Sequence, residues 1–472
     1  MLGGLKDGIG RSVETAVSGV SEALLEPVIR LGVTGLSRAG KTVFITSLVA
    51  NLLDRGRMPQ FSAAGRIEAA FLQPQPDDTL PRFDYETHLA ALTGANPHWP
   101  DSTRAISELR LSLRVRPSGF FGGLIGGFTG PRTVHLDIID YPGEWLLDLA
   151  LLGKSYADWS EATLERIAHR PEAADFMAMA RAEDGALRLE EPRAQALSAR
   201  FTEYLQAARI AGWSDCTPGR FLLPGDLAGS PVLTFAPLPK PGQTPRGSLW
   251  REMERRFEAY KSRVIKPFFR DHFARIDRQV VLMDVLGAIH AGPMALEDMR
   301  RTMAEILGAF RPGQNGFLRS LLLGKRVDKI LFAATKADHL HHTQHPRLTA
   351  ITEALLREAR DRAAFAGAET RAMSLAALRA TVEETREHDG QTLDLVRGTL
   401  ENGKQAAMFA GHLPEDPNHL IGPARKGEAA WLDADYSIMA FAPAKLTLRP
   451  GEGPPHIRLD RAAEFLLGDR LG

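Results

Sequence analysis

Two glycines, a lysine and a threonine lie near the start of the chain at a spacing that suits phosphate binding. The segment "GLSRAGKT", Gly35 to Thr42, matches the pattern G-x-x-x-x-G-K-[ST]. Glycines allow tight turns in which backbone N–H groups point at phosphate oxygens. Lys41 would reach the β- and γ-phosphates, and the Thr42 hydroxyl would bind Mg²⁺. The residues predicted to cradle the phosphates are Gly35, Ser37, Arg38, Ala39, Gly40, Lys41, Thr42 and Val43.

The flanks of this segment favour phosphate binding over an accidental glycine turn. Before it, "RLGVT" is a short β-prone run. After it, Val43, Phe44, Ser47 and Leu48 recur at helical spacing. A strand that passes through such a loop into a helix aims the positive end of the helix at the phosphates.

A second motif ends the apolar run in "TVHLDIIDYPGEW", Thr133 to Trp145. The run predicts a central strand that ends at Asp140, and an aspartate there can hold Mg²⁺, usually through water. Gly143 can offer its N–H group to a γ-phosphate. The preceding residues 109–116, "LRLSLRVR", alternate with period two and predict an antiparallel hairpin with this strand.

A third apolar run ends in polar residues at "KILFAATKAD", Lys329 to Asp338. [NT]-K-x-D after a strand, here beginning at Thr335, is the guanine-binding signature of GTP-binding proteins. The Asp338 carboxylate would accept hydrogen bonds from N1–H and the 2-amino group of guanine, two donors that adenine lacks. The stem of Lys336 would lie across the base. The alternatives are an ordinary turn at the strand end, or an ATP-using protein in which the pattern is accidental.

A last strand is predicted within "AMSLAALRAT", residues 372–381. Its end lies where GTPases place a small-residue loop against the base. Backbone N–H groups of Ala377 and Leu378 would therefore touch the guanine carbonyl.

Hydrolysis would depend on Lys41, Glu144 and Arg38. Glu144 follows Gly143, where many GTPases carry a neutral glutamine that orients the attacking water. A glutamate could act as a base, or its charge could repel phosphate and leave hydrolysis to a partner. Arg38, inside the loop, could supply positive charge in cis.

A threonine between Thr42 and Asp140 should also meet Mg²⁺, because the first switch region lies there. Thr79, Thr87, Thr93 and Thr103 are the candidates, and Thr103 is chosen because it lies just before the alternating strand. The predicted magnesium ligands are Thr42, Thr103 and Asp140.

The composition indicates a globular protein with no nucleic-acid partner expected. Lys plus Arg and Asp plus Glu number 58 each among 472 residues, so the net charge is zero. The single cysteine fits a reducing compartment. No transmembrane segment is expected, and residues 1–28 predict an amphipathic helix.

Long helical patterns interrupt the predicted nucleotide domain and suggest its division. We predict a first part at 29–149, a helical insertion lobe at 150–275, a second part at 276–390 and a C-terminal region packed on the domain at 391–472. The lobe includes one long helix over residues 249–276. Strands are possible in "YSIMAFAPAKLTL" and loop structure in "GHLPEDPNHLIGP". "HLHHTQH", His339 to His345, fits no regular helical metal pair, so a solvated loop is favoured over a metal site.

Together these segments resemble the YcjX family of bacterial P-loop GTPase-like proteins, sometimes described as stress-associated. The likeness is carried by "GLSRAGKT", "DYPGEWLLDL", "TKAD" and "LAALRAT", with "WPDSTRAISELRL" and "QPDDTLPRFDYETHL" in support. The resemblance implies a Ras-like nucleotide domain with a helical insertion, GTP or GDP as ligand and cytoplasmic residence. It also implies an integral membrane partner of the YcjF type and docking at the inner membrane.

The expected fold is therefore an α/β P-loop NTPase with a Ras-like, mostly parallel sheet and a large helical insertion. Three functions stay open at this point. The first is a slow GTP-hydrolysing switch that uses Mg²⁺. The second is a nucleotide-stabilised scaffold with little hydrolysis, and the third is an ATP-using enzyme.

Overall fold

A computed structural model describes the chain over residues 26–36, 38–101, 105–116, 131–308, 327–357, 368–388, 390–431 and 436–471. Its centre is a seven-stranded sheet. The strands are β1 Val28–Gly35, β2 Ile67–Gln73, β3 Ser107–Val115, β4 Arg132–Asp140, β5 Arg278–Met283, β6 Lys329–Ala334 and β7 Glu369–Ser374.

The sheet is mostly parallel, with the spatial order β2-β3-β4-β1-β5-β6-β7. Strands β4, β1, β5, β6 and β7 run in the same direction, whereas β3 is antiparallel to β4 and β2 is antiparallel to β3. The carboxyl ends of the five parallel strands consequently meet at one edge. The predicted α/β P-loop fold with a Ras-like, mostly parallel sheet is confirmed.

Fourteen α-helices surround or extend this sheet in the described part of the chain. They are α1 Lys41–Leu53, α2 Tyr85–Thr93, α3 Gly143–Leu147, α4 Tyr156–Ile167, α5 Ala174–Ala182, α6 Glu191–Ala211, α7 Gly219–Leu222, α8 Leu249–Tyr260, α9 Lys266–Asp271, α10 Val285–Ala291, α11 Pro293–Gly308, α12 His345–Leu355, α13 Asn418–Lys426 and α14 Leu459–Leu471. None of the helices in these described ranges is both long enough and apolar enough to cross a membrane.

Apolar side chains bury both faces of the sheet. On one face, α1 and the final helix α14 share a core with alternate side chains of the strands, such as Leu31 and Leu111. On the other face, α10, α11 and α12 form a core that continues into the helices between β4 and β5. The alternating pattern of β3 reflects this burial, because every second residue from Leu109 to Val115 is fully enclosed.

The segment between β4 and β5 is helical, and its aromatic side chains form the interior. Trp159 of α4 stacks on Phe257 of α8 with ring centroids 4.9 Å apart. The single helix predicted over 249–276 is confirmed as far as Asp271, but it contains a π-helical turn, Lys261–Ile265, between α8 and α9. Pro267 follows this turn, and its missing N–H group cannot continue a regular α-helical ladder.

Residues beyond β7 contain structure that the sequence patterns did not predict. A separate antiparallel sheet has the order β10-β9-β8, with β8 Thr381–His388, β9 Gln391–Thr399 and β10 Gln405–Met408. The strands predicted in "YSIMAFAPAKLTL" are wrong for its described residues, which form only an isolated bridge between Phe441 and Leu400. Pro443 lacks the N–H group of a ladder residue. Part of the predicted loop "GHLPEDPNHLIGP" is α13.

Candidate functional site

The loop predicted to bind phosphate joins the end of β1 to the start of α1. Gly40 has φ 75° and ψ 34°, a left-handed conformation that glycine adopts without strain. Arg38 has a positive φ of 63°, and the residue is exposed. In the described part of this region, no side chain caps α1. The N–H groups of its first turn therefore point out of the helix end, as anion binding requires.

Lys41 and Asp140 form an ion pair beside this loop. Asp140 ends β4, and in the pairing of β4 with β1 it lies opposite Val33. The Asp140 carboxylate is 1% exposed, and Thr42 in the first turn of α1 is buried as well. A hydroxyl and a carboxylate are hard oxygen donors of the kind that Mg²⁺ prefers, so both residues fit the predicted metal site.

Gly143, the first residue of α3, lies directly against the phosphate loop. A Cβ atom on Gly143 would be 1.7 Å from the carbonyl oxygen of Gly35. Real Cβ atoms do not approach backbone oxygen so closely, so only glycine fits between α3 and the loop. The "DYPG" turn and the phosphate loop are thus in backbone contact.

Glu144 faces away from bulk solvent and pairs with a residue of α6, one of the helices between β4 and β5. Its Oε1 lies 3.1 Å from Nη2 of Arg209, near the end of α6, and the Glu144 side chain is 9% exposed. The backbone of Gly219 at the start of α7 packs on the Glu144 carbonyl so tightly that a Cβ there would lie 2.1 Å from this oxygen. Helices α6 and α7 therefore contact the side chain and the backbone, respectively, of the predicted catalytic position.

Asp148 forms a second connection from this segment to the helices between β4 and β5. Its buried carboxyl accepts a hydrogen bond from the Gly219 N–H group at 2.8 Å and another from the Tyr260 hydroxyl. Burial raises the pKa of Asp148 to about 7, although both hydrogen bonds oppose the rise. The segment after Gly143 is thus held by α7 and α8 as well as α6.

The loop predicted to bind guanine follows β6 at the same edge of the sheet. The Asp338 side chain is buried, and its Oδ2 accepts a hydrogen bond from the Ala380 N–H group at 2.8 Å. The Thr381 hydroxyl donates to the Asp338 carbonyl oxygen. The loop is also attached to β5, because the Thr335 N–H group donates to the Met283 carbonyl at 2.9 Å. Asp338 is consequently fixed from the β7–β8 side.

Lys336 has a left-handed backbone conformation, and its side chain forms an ion pair. Its φ is 59°, and its Nζ lies 2.5 Å from Oδ2 of Asp284. Asp284 follows β5 and caps α10 by accepting a hydrogen bond from the Gly287 N–H group at 2.9 Å. This pair extends the aliphatic stem of Lys336 along the strand ends, where the predicted base would lie.

Ala377 and Leu378 lie in the turn that follows β7, next to the loop of Asp338. Both residues are buried, and the Ala376 N–H group before them donates to the carbonyl of Ile457 at 3.1 Å. Strand β7 ends at Ser374, earlier than the predicted strand. Ala377 and Leu378 therefore belong to a turn, as backbone contact with a ligand requires.

Comparison with known proteins agrees with these motifs. The profile of the YcjX-like family, DUF463, matches residues 29–471. The chain belongs to the YcjX-like family. It is 37% identical to the Ras-like GTPase YcjX of Escherichia coli K12, with 94% of this chain and 96% of the relative aligned. It is 36% identical to the Ras-like GTPase YcjX of Shewanella oneidensis, with 94% of each chain aligned.

In this YcjX-like chain, most predicted site residues lie along one edge of the sheet. Thr103 and Ser37 lie outside the described residues. The remaining members are Gly35, Arg38, Ala39, Gly40, Lys41, Thr42, Val43, Asp140, Gly143 and Glu144 around the first loop, and Thr335, Lys336, Asp338, Ala377 and Leu378 around the second.

The sequence patterns missed two charged residues of the site, Asp284 and Arg209. Asp284 had a usable signal, because it ends the apolar run "QVVLMD" as Asp140 ends its own run. Arg209 had none, since it is one of many charged residues on a long helix. Its contact with Glu144 arises only when α6 packs on α3.

Replacing Gly143 by alanine should destabilise the YcjX-like fold at the site. The new Cβ cannot coexist with the Gly35 carbonyl, so we expect a loss of about 1–3 kcal/mol in the free energy of unfolding by urea. Gly65→Ala is the matched control, because nothing lies within 4 Å of its Cβ position. It should change stability by less than about 0.5 kcal/mol. Equal losses in the two variants would contradict the close contact.

Glu144 and Arg209 should be energetically coupled. Arg209→Ala removes the cation beside the buried Glu144 carboxylate. Glu144→Gln instead removes the negative charge that Arg209 balances. We expect the double variant to be more stable than the sum of the single losses predicts, with a coupling of about 1–3 kcal/mol in a double-mutant cycle of urea unfolding. Additive losses would show that the ion pair contributes nothing.

Proposed function

We propose that this chain binds a guanine nucleotide with Mg²⁺ and hydrolyses GTP slowly as a regulatory switch. One observation carries the proposal: the phosphate loop and Asp338 lie at the same edge of the sheet, two strands apart. Strands β1, β5 and β6 are neighbours, and two strand spacings are about 10 Å. That separation is comparable with the length of a nucleoside diphosphate from its base to its β-phosphate.

The phosphate end would be bound mainly by backbone. The N–H groups of residues 40–42 and the N-terminus of α1 favour negative charge, and the Lys41 ammonium adds a full positive charge. When bound, Mg²⁺ would neutralise phosphate oxygens. The Thr42 hydroxyl and the Asp140 carboxylate would hold it, because both are buried oxygen donors at this loop.

The base end of the site would select guanine because its hydrogen-bond acceptor, the Asp338 carboxylate, is buried. The Asp338 carboxylate is enclosed, and the Ala380 N–H group fixes its orientation. Guanine offers two donors to it, whereas adenine offers none and would leave a desolvated carboxylate unpaired. This argues against the ATP-using alternative.

The surroundings of Glu144 support slow hydrolysis. Its carboxylate is paired with Arg209, so the negative charge is partly balanced before any phosphate approaches. Glu144 therefore does not supply the neutral glutamine amide that orients the attacking water in many GTPases. Arg38, exposed in the loop, is proposed to contribute charge in cis.

Single-turnover hydrolysis of radiolabelled GTP and ATP tests this function. We expect slow release of phosphate from GTP, none from ATP, and none from GTP with Lys41→Ala. Tight GTP binding without release would support the scaffold alternative. Release from ATP as fast as from GTP would overturn the guanine assignment.

The resemblance to the YcjX family extends the proposal to the cytoplasmic face of the inner membrane. There an integral membrane protein of the YcjF type would be the partner of this switch. Measuring GTP turnover with and without the membrane fraction of the source cells tests the extension. A membrane-dependent change is expected, and identical turnover would contradict it.

A further inference from the structure

Two adjacent histidines, His341 and His342, lie in the segment after Asp338. In the fold they lie next to the carboxylate of Glu383, which is some forty residues later in the chain. The predicted solvated loop "HLHHTQH" is wrong for most of its histidines, because His339, His341 and His345 are buried. His342 is the exposed exception. Strand β8 brings Glu383 to His341 and His342, and ligand atoms of the three residues lie within 4.8 Å of one another.

We propose that His341, His342 and Glu383 form a binding site for Zn²⁺. Two imidazoles and a carboxylate are the donor set of many zinc sites that keep an open fourth position. The Nε2 atom of His341 lies 3.7 Å from Oε2 of Glu383, close to the separation of about 3.3 Å expected of two ligands on a tetrahedral zinc ion.

Neighbouring groups orient His341 for this role. Its Nδ1 lies 3.0 Å from the Thr343 hydroxyl and 3.4 Å from Oδ2 of Asp394 on β9. A proton on Nδ1 can be donated to these acceptors, which leaves the Nε2 lone pair facing Glu383. Zinc-binding histidines commonly donate their other ring N–H to a carboxylate in this way, which fixes the tautomer.

Glu383 is oriented as well. Its Oε1 lies 3.7 Å from Nη2 of Arg379, while Oε2 is directed at the histidines. Nδ1 of His342 is 2.7 Å from the same Oε2, which is a hydrogen-bond distance and shorter than two zinc ligands allow. The His342 side chain is 64% exposed, so it can move by the required fraction of an ångström without disturbing the core.

The site would connect the segment after Asp338 to the three-stranded sheet. His341 and His342 belong to that segment, and Glu383 belongs to β8, which begins at Thr381. Thr42 and Asp140, the described ligands of the predicted Mg²⁺ site, lie on α1 and β4, so zinc binding does not depend on the proposed nucleotide function.

Zinc titration of the full chain in excess Mg²⁺ tests the proposal. We expect one equivalent of Zn²⁺ to bind after chelator treatment, with a rise in the thermal midpoint. Substitution by Co²⁺ should give the visible absorption of a tetrahedral site. His342→Ala and Glu383→Gln should each weaken zinc affinity by at least about tenfold. His419→Ala changes another exposed histidine and should leave the affinity unaltered.

Circular dichroism of each variant checks that it is folded, which is expected because the changed side chains are not core residues. Zinc binding that is equally strong in Glu383→Gln, His342→Ala and the unmodified chain would overturn the site. Failure of the unmodified chain to bind one equivalent would do so too, leaving His342 and Glu383 as an ordinary hydrogen-bonded pair. Neither result would bear on guanine binding.

Discussion

Asp338→Asn is expected to weaken GDP binding about a hundredfold while it creates binding to xanthosine diphosphate. The asparagine oxygen can still accept the hydrogen bond from the Ala380 N–H group, so the side chain keeps its position. Its amide N–H₂ would then face the N1–H and 2-amino donors of guanine. The loss of two hydrogen bonds to a charged acceptor corresponds to about 3 kcal/mol or more, which is a hundredfold in affinity.

Xanthine provides the matched test of this prediction. Its 2-oxo group accepts the hydrogen bond that the asparagine amide donates, so the variant should prefer the xanthine nucleotide in calorimetric titrations. Glu144→Gln is the control, because it changes a carboxylate to an amide next to Gly143, beside the phosphate loop and not in the loop of Asp338, and should leave the GDP affinity nearly constant. Equal losses of GDP binding in the two variants would contradict the role of Asp338.

Lys41→Ala should remove hydrolysis and weaken nucleotide binding about tenfold to a hundredfold. A hydrogen bond from an ammonium group to phosphate contributes about 1.5–3 kcal/mol, and its loss gives this range. The lysine contacts the phosphate end, so GDP and xanthosine diphosphate should be affected alike. This pattern differs from that of Asp338→Asn, which changes base preference.

The ion pair with Asp140 requires a separate control for this variant. Without Lys41, the buried Asp140 carboxylate loses a cation, so the fold itself could be destabilised. Lys41→Arg keeps the charge for Asp140 but presents a planar group that a tight phosphate loop does not accommodate. We therefore expect Lys41→Arg to unfold in urea like the unmodified chain yet to bind GDP poorly. Full GDP affinity in Lys41→Ala would contradict the phosphate assignment.

The parts of the fold that follow local patterns were predictable from the sequence. Asp140 ends an apolar run and Asp338 lies in the loop just after another, and parallel strands bring such ends to one edge of a sheet. The "GLSRAGKT" loop is also local, since its glycine and its helix start lie within eight residues. The strand ends and the phosphate loop depend on residues that are close in sequence, so sequence motifs and hydrophobic periodicity identified them.

The parts that depend on distant packing were not predictable. Arg209 meets Glu144 only because α6 is placed on α3, and Glu383 meets His341 only because β8 turns back over the loop. Strand β8 carries many charged residues and β9 has only a short apolar alternation, so periodicity gave no signal for them. Periodicity also gave no signal for the edge strand β2, which is half exposed.

A crystal structure of the chain with GDP and Mg²⁺ tests the central claim most directly. We expect the β-phosphate within about 3 Å of the backbone N–H groups of residues 40–42 and the guanine N1 within the same distance of the Asp338 carboxylate. One molecule would thus contact both loops. GDP bound with its base turned away from Asp338, or its phosphates away from Lys41, would contradict the account.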